Sequence, residues 1–171
     1  GYSWIGEGDG TTDYTARIQS KLDELHTVSN GGTINLGPGT YPISDRLIVY
    51  GNTTIIGCGT NTFIVQKADN TDAIVVNGSN VVLRDFCIRL DGTCIELTAC
   101  VYVNSGNPNG ENGYPSSGHI KSLTMDNILM SGNYKFEYVD GEPILGDVYN
   151  NYKGVGIECT GGYFTYAHVD N

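Results

Sequence analysis

Short apolar segments, punctuated by glycine, proline and asparagine, follow one another through most of the chain. In residues 31–59, GGTINLGPGTYPISDRLIVYGNTTIIGCG, four such segments leave no room for a helix between them. They are rich in the β-branched and aromatic residues typical of strands, and the turn residues between them force frequent changes of direction. Because short strands recur in this way, the pattern predicts a solenoid that returns every twenty to thirty residues or so.

One segment has helical periodicity instead. Four large side chains are spaced by four, four and three residues and so share one helical face: Tyr14, Ile18, Leu22 and Leu25. With Asp13 as the N-cap, this spacing predicts an amphipathic helix over residues 13–26. The first coil of a solenoid has unpaired edges, so we expect the helix to cover them. Residues 1–12 are glycine-rich and are expected to form no regular structure by themselves.

The strands recur with unequal spacing. TTIIGC, which follows Asn52, aligns with VVLRDF, which follows Asn80, and each asparagine is expected to take a left-handed turn. LTMDNI, at residues 123–128, is a third copy, and it follows VVLRDF at a longer interval than the one that separates the first two copies. Surface loops tolerate insertions at little cost, so the extra length is assigned to a loop excursion at residues 104–119.

Two further features complete the predicted organisation. GTCIEL aligns with GVGIEC, which would place Glu96 and Glu158 at equivalent positions, and residues 131–153 form a second excursion. The lead-in and helix are assigned to residues 1–30 and the coils to residues 31–171, with the chain expected to be truncated at its C-terminal end. The side chains expected to point inward are Ile34, Leu36, Ile43, Leu47, Val49, Ile55, Ile64, Ile74, Val76, Leu83, Phe86, Ile88, Ile95, Val101, Val103, Met125, Ile128 and Ile157.

The net charge of −10 and the absence of a Lys/Arg cluster argue against nucleic acid as a partner. No apolar run is long enough to span a bilayer, so membrane insertion is not expected. The five cysteines contain no CxxC pair. We expect buried free thiols, with a disulfide framework as the alternative. Asp9 and Asp13 are better explained by a turn and a helix cap than by calcium ligation, and neither a metal nor a cofactor is predicted.

The opening of the chain resembles that of the pectate-lyase-like right-handed parallel β-helix proteins. The resemblance rests on IGEGDGTTDYTARIQ, GGTINLGPGTYPIS and LIVYGNTTIIGCG, which together cover about residues 5–60. Tyr14 replaces an aspartate that is common in the family block, and Gly37 replaces a common proline. Within the superfamily, the sequence is most similar to phage tailspikes and tail appendages. The resemblance implies an all-β, single-stranded right-handed parallel β-helix with an N-terminal capping helix.

Hydrolysis of a glycan requires two carboxyl groups on one surface. The candidates are Asp85, Asp126, Glu96 and Glu158. The repeat places Asp126 opposite Arg84 on the neighbouring coil, and it places Asp85 opposite Asn127. We favour the interpretation that Arg84, Asp85, Asp126 and Asn127 form a polar ladder at a corner, so the sequence does not identify a catalytic set and leaves enzymatic activity open.

The second excursion combines aromatic and acidic residues. Aromatic faces stack on sugar rings and carboxylates accept hydrogen bonds from hydroxyl groups. The candidate glycan-binding residues are Tyr134, Glu137, Tyr138, Asp140 and Tyr149. A corner loop stapled by aromatic residues, or a contact between subunits, is the alternative interpretation.

Together, these patterns and the resemblance predict the N-terminal β-helix part of a phage tailspike that binds a bacterial surface polysaccharide. A variant of this hypothesis is that the protein also depolymerises the polysaccharide. The resemblance also implies a homotrimer on the virion tail, extracellular after folding in the host cytoplasm. One alternative is a secreted polysaccharide lyase or glycoside hydrolase. Another is a trimeric virion spacer that makes no glycan contact.

Overall fold

The computed structural model describes residues 2–132, 138–139, 142–143 and 154–160. Within these ranges the chain is mostly β-structure with one α-helix, α1 (Thr15–Ser29). The strands are β1 (Tyr2–Asp9), β2 (Gly32–Ile43), β3 (Leu47–Val49), β4 (Thr53–Ile56), β5 (Thr62–Gln66), β6 (Ile74–Val76), β7 (Val81–Leu90), β8 (Thr98–Asn104), β9 (Leu123–Gly132), β10 (Tyr138–Val139), β11 (Glu142–Pro143) and β12 (Gly154–Thr160).

The strands other than β10 and β11, which pair with each other in antiparallel fashion, form three parallel stacks. In the first stack, the opening part of β2 pairs with β4, which pairs with the opening part of β7, and this pairs with β9. The second stack contains the later part of β2, then β5, then the later parts of β7 and β9. The third stack contains β3, β6, β8 and β12 in that order. Successive turns of the chain therefore add one strand to each stack, which is a β-helix-like arrangement.

The predicted alignment of the repeats is confirmed in the first stack. Thr54 pairs with Val82, and Val82 pairs with Thr124, so the second interval is the longer one. Asn52 and Asn80 take the expected left-handed conformation, with φ of 58° and 60°. Their side chains also meet, because the Asn80 amide donates to Asn52 Oδ1 at 3.1 Å. The corner before the first stack is therefore held in register by both backbone and side chains.

Residues 2–9 of the glycine-rich opening form a strand, β1, by pairing in parallel with β2. The pairing contains two irregularities, which lie between Trp4 and Gly6 and between Gly6 and Gly8. Gly8 and Gly39 make this close approach possible, since a Cβ on Gly39 would lie 2.1 Å from the Gly8 carbonyl oxygen. The glycine-rich segment is thus ordered by the edge of β2, which supplies the hydrogen bonds that it cannot make alone.

The helix begins and ends slightly later than predicted, but its apolar face is the predicted one. Tyr14, Ile18, Leu22 and Leu25 are all buried. Asp13 still serves the helix start, since its Oδ1 accepts from the Thr15 backbone N–H at 3.0 Å. Gln19 hydrogen-bonds both backbone groups of Ile48, donating to the carbonyl at 3.1 Å and accepting from the N–H at 2.8 Å. The helix therefore covers the apolar end of the first coil and also occupies the free edge of β3.

The predicted inward residues from β2 to β7 are all buried, as are Val101 and Val103. Met125 and Ile128 are partly buried and pack against the core. Two predictions are wrong: Ile95 is 52% exposed and Ile157 is 36% exposed. Ile95 lies in a turn rather than a strand, and its backbone N–H donates to Asn70 Oδ1 at 2.8 Å.

The alignment of Glu96 with Glu158 is also wrong. In the third stack, Glu158 lies opposite Tyr102, and the start of β12 lies opposite Thr98. GVGIEC therefore pairs with the β8 segment TACVYV rather than with GTCIEL. The GTCIEL segment forms the corner before β8, where Gly92 packs closely on the backbone of Ala68.

The cysteines with described side chains are free thiols, as expected, but they are not all buried. Cys87, Cys94 and Cys100 are buried, whereas Cys58 is exposed. Burial raises the pKa of Cys100 to about 12. Since the thiolate is the reactive form of cysteine, Cys100 is an inert part of the core.

The Asp9 turn gives a test at acidic pH. Hydrogen bonds from the Thr12 side chain, and then from the backbone N–H groups of Thr12 and Thr11, hold the pKa of Asp9 at about 2, below its ordinary 3.8. A lowered native pKa contributes stability above pH 3.8 that is lost as the pH falls through about 2. We therefore expect Asp9→Asn to lower the melting temperature near neutral pH, and this difference from the parent chain to shrink through that window. Thr12→Val should have a smaller effect of the same sign, and a difference that stays constant with pH would contradict the assignment.

Candidate functional site

Most of the predicted glycan-binding residues cannot be placed in a site. Tyr134, Glu137, Asp140 and Tyr149 lie outside the described residues. Tyr138 lies in β10, where it is opposite Pro143 in a short antiparallel pair. The glycan-binding role of this excursion therefore stays a prediction.

The predicted register of the carboxyl candidates on β7 and β9 is confirmed. Asp126 lies opposite Arg84 and forms an ion pair with it, with 3.5 Å between Arg84 Nε and Asp126 Oδ2. Asp85 accepts a hydrogen bond from the Asn127 amide at 3.0 Å. Asp85 and Asn127 have φ of 60° and 52°, which marks the boundary between the first and second stacks. Each carboxylate thus has its own partner, and the arrangement is the polar ladder considered above.

Glu96 and Glu158 lie on different parts of the structure. Glu96 is exposed in the corner before β8, where its backbone N–H donates to Asn70 Oδ1 at 3.1 Å. Glu158 lies in β12 on the third stack and is half-buried. The structure therefore does not bring these two carboxyl groups together as a pair.

A row of outward side chains follows the first stack. Trp4 lies opposite Asn35, Asn35 opposite Ile56, Ile56 opposite Arg84, and Arg84 opposite Asp126. The preceding residues of β2, β4 and β7 face the core, so these five point outward. We call this row the outer strip. With neighbouring strands about 4.8 Å apart, it extends about 19 Å across the coils.

The outer strip combines an exposed aromatic ring with polar groups that have unused hydrogen-bonding capacity. Trp4 is 57% exposed. Among the described residues, the Asn35 amide nitrogen has no hydrogen-bond partner. Arg84 and Asp126 keep large exposed fractions, 44% and 64% of their side chains. An aromatic face beside amide, guanidinium and carboxylate groups suits the binding of sugar rings and their hydroxyl groups.

A second polar cluster lies on the outside of the third stack, beneath residues 105–119. The Tyr114 hydroxyl donates to Asp72 Oδ2, and the Ala99 backbone N–H donates to Asp72 Oδ1 at 2.7 Å. The Tyr114 ring packs against Tyr102 with 4.8 Å between the ring centroids. Arg46 lies 4.9 Å over the centroid of the same ring and donates to the Gly113 carbonyl at 2.7 Å. These contacts fasten the loop to the stack.

Two carboxyl groups of this region, Asp72 and Glu158, have raised pKa values. Burial raises the pKa of Asp72, although the Ala99 hydrogen bond and the Arg46 charge oppose the shift. Burial, followed by the charge of Asp72, raises the pKa of Glu158. Glu158 therefore keeps its proton to a higher pH than an isolated glutamate does, and its side chain is only partly buried.

Among the described side chains, no group of three or more His, Cys, Asp or Glu residues could hold a metal ion. Asp9 accepts hydrogen bonds from Thr11 and Thr12, and Asp13 from Thr15 and Ser44. Both carboxylates thus serve the turn and the helix start. In the part of the chain that the structure describes, no helix is both long and apolar enough to cross a bilayer.

Sequence reasoning did not single out Trp4, Asn35, Asp72 or Tyr114. Placing Trp4 beside Asn35 requires β1 to pair with β2, and the irregular register of that pairing is not visible in the local pattern. Asp72 and Tyr114 are far apart in the sequence and meet only because the loop folds back over the stack. One available signal was that Trp4 is the single tryptophan of the chain.

Comparison with known proteins gives two findings. The model of the rhamnogalacturonase A/epimerase, pectate-lyase-like family matches residues 6–107. Alginate lyase 7 of Azotobacter vinelandii is 34% identical over an alignment of 73 residues, and the match covers 39% of this chain and 8% of that protein. The match therefore covers less than a tenth of the curated relative. No solved structure matches the chain.

Proposed function

Since the chain belongs to the rhamnogalacturonase A/epimerase, pectate-lyase-like family, we propose that it forms a right-handed parallel β-helix that binds polysaccharide along the outer strip. The observation that carries the proposal is the alignment of exposed Trp4 with Asn35, Arg84 and Asp126 on one face. Stacked parallel strands hold these side chains at fixed spacing, so an extended polymer can contact several of them at once.

The biological setting that we propose is a phage tailspike or tail appendage that binds a bacterial surface polysaccharide. The resemblance of residues 5–60 to the openings of such proteins supports it. On this proposal the protein is a homotrimer on the virion tail. The acidic chain, with a net charge of −10, suits a glycan that is not itself strongly anionic.

A second candidate is a polysaccharide lyase of a secreted protein. The similarity to alginate lyase 7 favours it, and so does the raised pKa of Glu158 beside Asp72. On this candidate, Glu158 would exchange a proton with the polymer during cleavage.

Retention on immobilised polysaccharide tests the proposal. The longest available form of the protein would be passed over bacterial capsular and lipopolysaccharide preparations, a neutral galactomannan and alginate. We expect retention on at least one, because the outer strip offers aromatic and hydrogen-bonding contacts together. Retention on none of them would overturn the proposed function.

The eluates of the same experiment distinguish binding from lyase activity through the ultraviolet absorbance of unsaturated sugar ends. If the second candidate holds, such ends accumulate with the parent and not with Glu158→Gln. Glu96→Gln is the matched control, because Glu96 is exposed in the corner before β8 and does not lie in the β8–β12 pairing that contains Glu158. Binding without new ends would support the first candidate.

A further inference from the structure

Building on the proposed function, we propose that the outer strip selects an uncharged polysaccharide. Trp4 is the platform for a sugar ring, and Asn35, Arg84 and Asp126 are the partners of its hydroxyl groups. An uncharged polymer differs from the alginate that the name of the alginate lyase relative indicates.

Trp4 is placed as a platform by the parallel pairing of β1. Ile5, the next residue, is 5% exposed and packs into the core, whereas Trp4 is 57% exposed. The edge of the indole lies over Gly37, where a Cβ would be 3.1 Å from the ring. Because Gly37 has no side chain, nothing from that position displaces the ring from the strip. Apolar ring faces bind the C–H surfaces of uncharged sugars without needing an opposite charge.

Asn35 adds a donor next to this platform. Its amide nitrogen is covered from solvent and has no acceptor in the part of the chain that the structure describes, and buried donors are seldom left in that state without a reason. The terminal torsion of an asparagine side chain is broad, so a modest rotation would present the N–H to a hydroxyl group on the neighbouring rung. Binding of a sugar would thereby satisfy a donor that the free protein leaves unused.

The charges on the outer strip favour an uncharged polymer over an anionic one. Its two charged residues, Arg84 and Asp126, form an ion pair at 3.5 Å and cancel one another. The adjacent outward row of the first stack is Thr33, Thr54, Val82 and Thr124, which carries no charge. A polyuronate brings one negative charge for each sugar to a chain of net charge −10. Because no unpaired cation lies on the strip to offset that repulsion, a neutral polymer is favoured.

Binding of oligosaccharides to the outer strip can be measured by the fluorescence of Trp4, since Trp4 is the only tryptophan in the chain. The parent chain would be titrated with galactomannan oligosaccharides, neutral oligosaccharides from any retained bacterial polysaccharide, and alginate oligosaccharides of matched length. We expect saturable fluorescence changes with a neutral probe and at least about tenfold weaker binding of alginate.

Variants test whether the polysaccharide binds at the outer strip, and their affinities are measured by calorimetry because both substitutions of Trp4 remove the single tryptophan. Trp4→Ala is expected to weaken binding of the neutral probe about tenfold or more, and Trp4→Phe by much less, since an aromatic face remains. Leu97→Ala, at a side chain 54% exposed and away from the strip, is the matched control. Thermal unfolding of each variant verifies that it is folded. If Trp4→Ala does not fold, the comparison of the parent with Trp4→Phe tests the role of Trp4 instead.

Three outcomes would overturn the inference. Equal or tighter binding of alginate would contradict the choice of an uncharged polymer. Neutral binding that Trp4→Ala leaves within about twofold of the parent would remove Trp4 from the site, while the proposed function would stand. A chain that binds no polysaccharide would overturn the proposed function and this inference with it.

Discussion

Replacing Phe86 by alanine is expected to lower the free energy of unfolding by about 3–5 kcal/mol. Phe86 is fully buried and lies opposite Ile128, directly after the boundary between the first and second stacks. Loss of its ring would leave a cavity between coils whose strands are held in register, so the surrounding core could not readily close it. Urea unfolding followed by circular dichroism would measure the loss.

Leu129→Ala is the control for this change. Leu129 lies on the same stretch of β9 as Ile128, but it is 55% exposed. We expect its truncation to alter the unfolding free energy by about 0.5 kcal/mol or less. Equal losses for Phe86→Ala and Leu129→Ala would show that the inward and outward faces of the second stack had been assigned incorrectly.

Asp72→Ala is expected to destabilise the chain by about 1.5–3 kcal/mol and to release residues 105–119 from the third stack. The change removes the acceptor of the Ala99 N–H and of the Tyr114 hydroxyl. A glutamate-specific protease would measure the release, because Glu111 is exposed within this loop. We expect faster cleavage after Glu111 in the variant, with the loss of stability measured by urea unfolding.

The control is Asp45→Ala, which removes a carboxylate that is 63% exposed and 3.7 Å from Arg46. It should alter neither cleavage nor stability appreciably, since exposed ion pairs contribute little.

The contribution of Asp72 to the free energy of unfolding depends on pH, and the direction of this dependence follows from its pKa. Because the native pKa of Asp72 is raised above 3.8, its contribution to stability is greatest below pH 3.8 and is lost as the pH rises through the raised pKa. Asp72→Asn should remove this loss, and unchanged pH dependence would contradict the assignment.

The coils could be predicted because the sequence signals that specify them lie within short stretches of the chain. The residue before β4 and before β7 must be left-handed, which favours asparagine at Asn52 and Asn80, and the alternation of apolar residues then identifies the inward face. The helix is equally local, since the spacing from Tyr14 to Leu25 specifies one buried face. These signals identified the first coils and their register without any knowledge of which strands touch.

The remaining features depend on contacts between distant segments. Ile95 follows a strand-like pattern but lies in a corner, because the chain must turn there to bring Val101 beside Ile74 in the preceding strand of the third stack. The register of Glu158 is set by its pairing with Tyr102, not by the similarity of GTCIEL to GVGIEC. Of the candidate site, sequence alone placed Asp126 beside Arg84 but missed Trp4, whose position depends on the pairing of a glycine-rich segment.

The corner after β8 also has a practical consequence. The longer step from β7 to β9 leaves the pairing of Val82 with Thr124 intact, because residues 105–119 fold outward and the chain re-enters through the left-handed Ser122. The length of this surface loop can therefore change without altering the pairing of β7 with β9. A foreign peptide inserted between Asn109 and Gly110 would be displayed on the side of the molecule, while β8 and β9, the strands that flank the loop, would keep their pairing.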